Sequence, residues 1–287
     1  MEQDIHDTDS KKMAVAIEDR FSKTNHVLHQ MTLNCSADHI HSFRVEIKKL
    51  KALIRLFSFS ISDPSTCKFP KPLDTLYKSL GSLREWQIQK QNIAKTAEEM
   101  HYANQLAYLD IINRKTDSCK RRVMELMGRL PDLKRFMEQI KNNSPGELTP
   151  DSIDEFIQMK MLAVQNVLQS GKYDDASMHD MRKKVKDVQY IISGSEKAGR
   201  TNEHIARLKS VQYVSAKLGD YHDLCIALIL LKKELNKLHK DTDEKKLLRK
   251  IKNKWQADKL SLRQRTTDSL QVLIQHHFPE ACVNGIA

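Results

Sequence analysis

"HSFRVEIKKLKALI" runs from His41 to Ile54, and "HDMRKKVKDVQYII" runs from His179 to Ile192. Laid over one another at an offset of 138, they match His41 with His179, Arg44 with Arg182, Lys48 with Lys186 and Ile54 with Ile192. A second pair of stretches shares that offset. "SLGSLREWQI" (79–88) and "KLGDYHDLCI" (217–226) match Leu80 with Leu218, Gly81 with Gly219, Glu85 with Asp223 and Ile88 with Ile226. Two separated motifs at one offset predict a duplicated unit. The whole chain, 1–287, then reads as a single domain of two four-helix-bundle repeats, approximately 10–141 and 150–280. Duplicated halves are expected to be related by pseudo-twofold symmetry, with a site where the repeated residues face each other.

The fold class follows from what lies around these motifs. Gly (8) and Pro (7) are scarce, and the prolines fall between periodic stretches. Pro64, Pro70 and Pro72 mark one loop and Pro131 another break, and "NNSPGELTP" (142–150) is a linker near the midpoint. Gly171 and "SGSEKAG" (193–199) mark two more. Elsewhere apolar residues recur every three or four positions. This predicts helices at roughly 9–31, 37–59, 72–101, 103–129, 151–169, 176–193, 201–238 and 242–277. Period-two alternation is absent, so the expected class is all-α with no sheet.

Charge narrows the partner. The 48 Lys and Arg exceed the 37 Asp and Glu, for a net charge of +11. Such an excess points to a polyanion: nucleic acid, anionic lipid or polyphosphate. The N-terminus, "MEQDIHDTDSKK", is acidic and polar and reads as no signal peptide. The longest apolar run, "LCIALILL" (224–231), is far short of a membrane span and is expected as a buried stretch of helix. Cys35, Cys67, Cys119, Cys225 and Cys282 are odd in number and show no paired spacing. They read as reduced thiols of a cytoplasmic protein.

The basic residues are not spread evenly. On a helical wheel with His41 at zero, the side chains of Arg44, Lys48, Lys51 and Arg55 fall within an arc of about 80° that ends at His41. Phe43, Ile47, Leu50, Ile54 and Phe57 occupy a second arc roughly 120° away. In the second copy His179, Arg182, Lys183, Lys186 and Tyr190 cluster, while Asp180 and Asp187 point elsewhere. Like charges at such spacing disfavour an isolated helix, because neighbouring turns repel. A polyanion in the stripe removes that cost. Lysines meet phosphate as point charges, and arginines as bidentate forks. A histidine beside the anion would have its charged form favoured. Gly81 and Gly219 each cost a helix about 1 kcal/mol relative to alanine, which suggests close helix approach or a kink. Glu85 and Asp223 are read as orienting neighbouring basic side chains.

These motifs resemble the CHAD family, the conserved histidine α-helical domain. Its pattern is a histidine, an arginine three positions on, a basic cluster at helical spacing, and later a Leu-Gly pair followed by a basic-acidic pair, all duplicated. His41, Arg44, Leu80, Gly81, Arg84 and Glu85 fit the first half. His179, Arg182, Lys186, Tyr190, Gly219 and Asp223 fit the second, and the likeness runs from about residue 10 to about 280. The resemblance implies two four-helix bundles with a basic groove between them, and binding of inorganic polyphosphate on cytoplasmic granules. Carried over residue by residue, the anion-binding set is His41, Arg44, Lys48, Lys51, His179, Arg182, Lys183 and Lys186. Arg55 joins it from the stripe. The sequence departs from the family pattern in using lysine where arginine is usual in the first cluster, in Glu85 for aspartate, and in Asp187 and Gln189, which thin the second cluster. The triphosphate-processing domain often fused to this family has no counterpart here, so a stand-alone binding module without hydrolase activity is expected.

Two other classes compete. Nucleic-acid binding lacks a helix-turn-helix, zinc-knuckle or RNP-type signature, and aromatics are only 6% and do not interleave with the stripes. At most weak nucleic-acid binding is expected. Histidine phosphotransfer or metal-dependent phosphohydrolysis would need carboxylates for Mg²⁺ near the motifs. His39, His222 and the His276–His277 pair show no metal-ligand spacing. No catalytic residue, metal, cofactor or membrane contact is therefore expected.

Overall fold

Ser36 starts the helix that carries the first stripe. Its hydroxyl accepts the His39 N–H at 3.2 Å, satisfying one of the free donors at the first turn. Asp38 adds negative charge where the helix dipole favours it. In the computed structural model this helix is α2, Ala37–Ser60, preceded by α1, Glu2–Leu33. Pro72 lies in the first turn of α3, Lys71–Glu99, where its missing N–H costs nothing. α4 spans Ala107–Gly128. Thr149 caps α5, Pro150–Gln169, by accepting the Ser152 N–H at 3.1 Å. Gly171, at φ +66, then turns the chain in the left-handed region toward α6, Asp175–Ser195. α7 is Asn202–Leu235, and Thr242 caps α8, Asp243–His277.

The structure describes residues 2–61, 68–102, 106–131, 133–134, 136, 138, 149–195, 202–237 and 242–279, with side chains from residue 18 onward. These hold eight helices and no strand. The breaks expected at 142–150 and 193–199, as well as Pro64, Cys67 and Cys282, lie wholly or mostly outside the described residues. Cys35, Cys119 and Cys225 are free thiols. No described helix is long and apolar enough to cross a membrane.

The apolar arc of α2 is the core face that the wheel predicts. Phe43, Ile47, Leu50, Ile54 and Phe57 are all buried, and each contributes about 1.5–3 kcal/mol by leaving water. Truncating Phe43 to alanine would cost about 3–5 kcal/mol. Of the "LCIALILL" run, Cys225, Ala227, Leu228 and Leu231 are buried, while Ile229 faces outward.

In sequence order α1 packs on α2, α2 on α3 and α3 on α4; α5 packs on α6, α6 on α7 and α7 on α8. The halves join where α2 meets α6 and α3 meets α7. The apolar cores do not divide along the sequence. One centres on α2, α5, α6 and the first halves of α3 and α7. The other draws on α4, the later parts of α3 and α7, and the start of α8, around Trp86, Tyr108 and Trp255. Neighbouring helices thus hold the polar faces of α2, α3, α6 and α7 toward one another.

Candidate anion-binding site

Those four faces enclose a cavity of about 570 Å³. All nine residues expected from the sequence line it: His41, Arg44, Lys48, Lys51 and Arg55 from α2, and His179, Arg182, Lys183 and Lys186 from α6. Lys78 and Arg84 of α3 bring the Lys and Arg total to nine, against the three carboxylates of Glu85, Asp187 and Asp223. A second hollow, of about 600 Å³, lies between α1 and α2 beside His41. There Asp19 pairs with Lys23 and Glu46 with Lys49, each at 2.6 Å, so its charges are matched.

The nine cations differ in what already holds them. Lys51 pairs with Asp74 and lies over the rings of Phe69 and Tyr77, at 4.7 and 4.3 Å. Arg55 forms a bidentate pair with Asp187, its Nε donating to Oδ2 at 2.8 Å and its Nη2 to Oδ1. Arg44 donates from Nη1 to the Tyr77 carbonyl at 2.7 Å and stacks on the Tyr77 ring. Lys186 reaches Gln189 at 3.0 Å. Lys48, Arg84 and Arg182 make no hydrogen bond or ion pair among the described residues, and Arg182 Nε is buried without a partner. The centre of the cavity is therefore basic and unsatisfied.

Electrostatics register the same imbalance. Burial, then the charges of Arg182, Arg44 and Lys186, push the Lys48 ammonium down to about 7. Burial and Arg182 push Lys186 down to about 8. His41 and His179 fall below the ordinary histidine value, chiefly through burial and then through neighbouring cations. Burial raises Glu85 and Asp223. Such shifts follow from burial among like charges, and an opposite charge nearby would favour the charged forms of these bases.

Some contributors were not legible from the motifs alone. His222, set aside at the sequence level, lies with its Nδ1 3.3 Å from His179 Nδ1 and its ring centroid 4.8 Å from that of His179. Burial and then Arg182 push it down to about 4. The signal for it was the offset itself, which sets His222 opposite Arg84. Asp187 is a correction. The wheel turns it off the stripe, yet it lines the cavity and binds Arg55, because α2 packs across α6 and reaches it. A wheel drawn for one helix cannot show that meeting.

The glycines also part ways. A Cβ on Gly81 would lie 2.8 Å from Arg44 Nη1, so close approach is the reason for glycine there. A Cβ on Gly219 would meet nothing within 4 Å, and nothing in the structure explains that glycine. Glu85 and Asp223 make no hydrogen bond to a base among the described residues. They act through charge, Glu85 on Arg44, and Asp223 on Arg182, Lys48 and Arg84. The described residues contain no group of three or more His, Cys, Asp or Glu able to hold a metal ion.

Comparison with known proteins meets this geometry. The model of the CHAD domain matches residues 23–232. The chain belongs to the CHAD family. Every cavity-lining residue of this CHAD chain lies within the match, whereas α8 lies beyond it. The crystal structure of the CHAD domain from the plant Ricinus communis aligns with a TM-score of 0.69 at 15% identity, over 93% of this chain and 92% of that one. At that identity the likeness is one of fold. No curated protein sequence matches.

Proposed function

We propose that this CHAD chain binds inorganic polyphosphate in the cavity between α2, α3, α6 and α7. The observation that carries the reading is the surplus of positive charge: nine Lys and Arg line the cavity against three carboxylates, and Lys48, Arg84 and Arg182 make no hydrogen bond or ion pair among the described residues. Phosphate oxygens arranged along a chain supply what these groups lack. Arginines take them as forks and lysines as point charges. The chain binds without turning the ligand over, in the cytoplasm, on polyphosphate granules where cells have them.

Base stacking has little to rest on. Besides the imidazoles of His41, His179 and His222, the aromatic side chains at the cavity are Tyr77 and Tyr190. Arg44 and Lys51 lie over the first, and Lys186 over the second at 5.7 Å. A slim, unbranched polymer of phosphates fits such a cavity better than RNA, whose bases need free aromatic faces.

The reading includes a duplication, with repeats at approximately 10–141 and 150–280 forming one domain. The packing order α1–α2–α3–α4 recurs as α5–α6–α7–α8, which supports it. The test is calorimetric titration with orthophosphate and with polyphosphates of defined length at two salt concentrations, with RNA as competitor at matched charge. Tight binding of long chains, weak binding of orthophosphate and a steep loss of affinity with salt are expected, by analogy with counterion release from nucleic acids. Equal affinity for RNA would overturn the choice of polymer.

A further inference from the structure

The Arg55–Asp187 pair sits at one end of the basic path. From Lys48 to Arg55 is two helical turns, about 10.5 Å along α2. Asp187 reaches across from α6, with its side chain 6% exposed, while that of Arg55 is 46% exposed. The carboxylate occupies the Nε–Nη2 edge of the guanidinium, an edge that a phosphate would use as a bidentate fork. The pair is not duplicated: at the offset of 138, Ser193 stands opposite Arg55 and Lys49 opposite Asp187. The Arg55–Asp187 pair therefore has no counterpart at the matched positions of the other half of the sequence.

We infer that Asp187 is a chain-length determinant, an internal competitor that holds Arg55 until a polyphosphate long enough to reach it takes over the guanidinium. This rests on the polyphosphate reading. A short ligand seated at Lys48 and Arg182 never meets the pair and gains nothing from Arg55. A longer chain exchanges its own oxyanion for the carboxylate. Among the other bases, Lys160 of α5 feels the charge of Asp187 without forming an ion pair with it. Arg55 is partly open to solvent, so a ligand can reach its guanidinium.

The test uses the full chain, first by thermal unfolding to establish that Asp187→Asn and Arg55→Gln are folded, then by calorimetry with pyrophosphate and with a long-chain polyphosphate of narrow length distribution. Asp187→Asn should tighten long-chain binding about tenfold, the scale of one hydrogen bond to a charged group, with pyrophosphate affinity unchanged. Its salt dependence for the long chain should steepen by about one released counterion. Arg55→Gln should weaken the long chain and leave pyrophosphate alone, and this variant decides the matter if Asp187→Asn does not fold. Long-chain affinity unchanged in either folded variant, or pyrophosphate shifted as much as the long chain, overturns the inference. Wild-type protein that binds no polyphosphate overturns the underlying reading, a distinct result.

Discussion

Arg44 lays its guanidinium where the side chain of residue 81 would begin: a Cβ there would stand 2.8 Å from Nη1. The Tyr77 carbonyl and ring hold the guanidinium from the other side. Gly81→Ala therefore sets two effects against each other. Alanine favours the helix by about 1 kcal/mol, and it displaces the end of a flexible side chain. Stability should change little, while polyphosphate affinity falls about tenfold through loss of a charged hydrogen bond's geometry. Gly219→Ala meets open space and should stabilise by about 0.5–1 kcal/mol without changing affinity. Paired melting curves and titrations of the two variants check this.

Lys48 makes binding depend on pH. In the empty cavity it titrates at about 7, below the ordinary lysine value of 10.5, and an anion favours its charged form. Binding therefore takes up protons from about pH 7 upward, and affinity should fall as pH rises from neutrality toward 9. Calorimetry in buffers of different ionisation enthalpy should register proton uptake near pH 8, reduced in Lys48→Gln.

The same residue opposes folding of the empty protein. Its value is lower folded than unfolded, so the unfolded chain binds more protons between about 7 and 10.5, and Lys48's contribution to stability rises with pH in that window. Lys48→Met should raise the melting temperature of the empty protein at pH 7, by about 1 kcal/mol in stability, while weakening polyphosphate binding. Thermal unfolding with and without polyphosphate separates the two effects.

Lys51 should behave in the opposite way. It is tied to Asp74 and stacked on two rings, so Lys51→Gln should cost stability, about 1 kcal/mol, and less affinity than Lys48→Gln. Asp74 is buried enough to raise its carboxyl, but hydrogen bonds from Lys51 and Lys78 together outweigh this and hold it below 3.8. The stabilisation is present above that unfolded value and is lost as pH falls through the lower folded one. Acid unfolding of wild type and Lys51→Gln should therefore converge at low pH.

His222 offers a direct probe. It titrates at about 4 in the empty cavity, and a nearby anion favours its charged form. Nitrogen-detected NMR of the imidazoles should show its titration move upward when polyphosphate is added.

The fold was largely legible because helix periodicity and caps are local. The breaks at Pro70 and Gly171 and the apolar arc of Phe43, Ile47 and Leu50 stand where the sequence puts them. The stripes meet because α2 packs on α6 and α3 on α7. What the sequence withheld lies between helices. Asp187 meets Arg55, Arg44 needs Gly81, and His222 stacks by His179, and each pairing depends on where two axes cross. Gly219 warns against carrying a reason along with an offset, since its counterpart's close contact is absent there.

The central claim is that the polymer lies between the two stripes. Lys48→Glu with Lys186→Glu places one reversed charge on each, at matched positions of α2 and α6. Titration of the folded double variant with long-chain polyphosphate at low salt is the direct measurement. No detectable binding is predicted; affinity near that of the wild type would contradict the account.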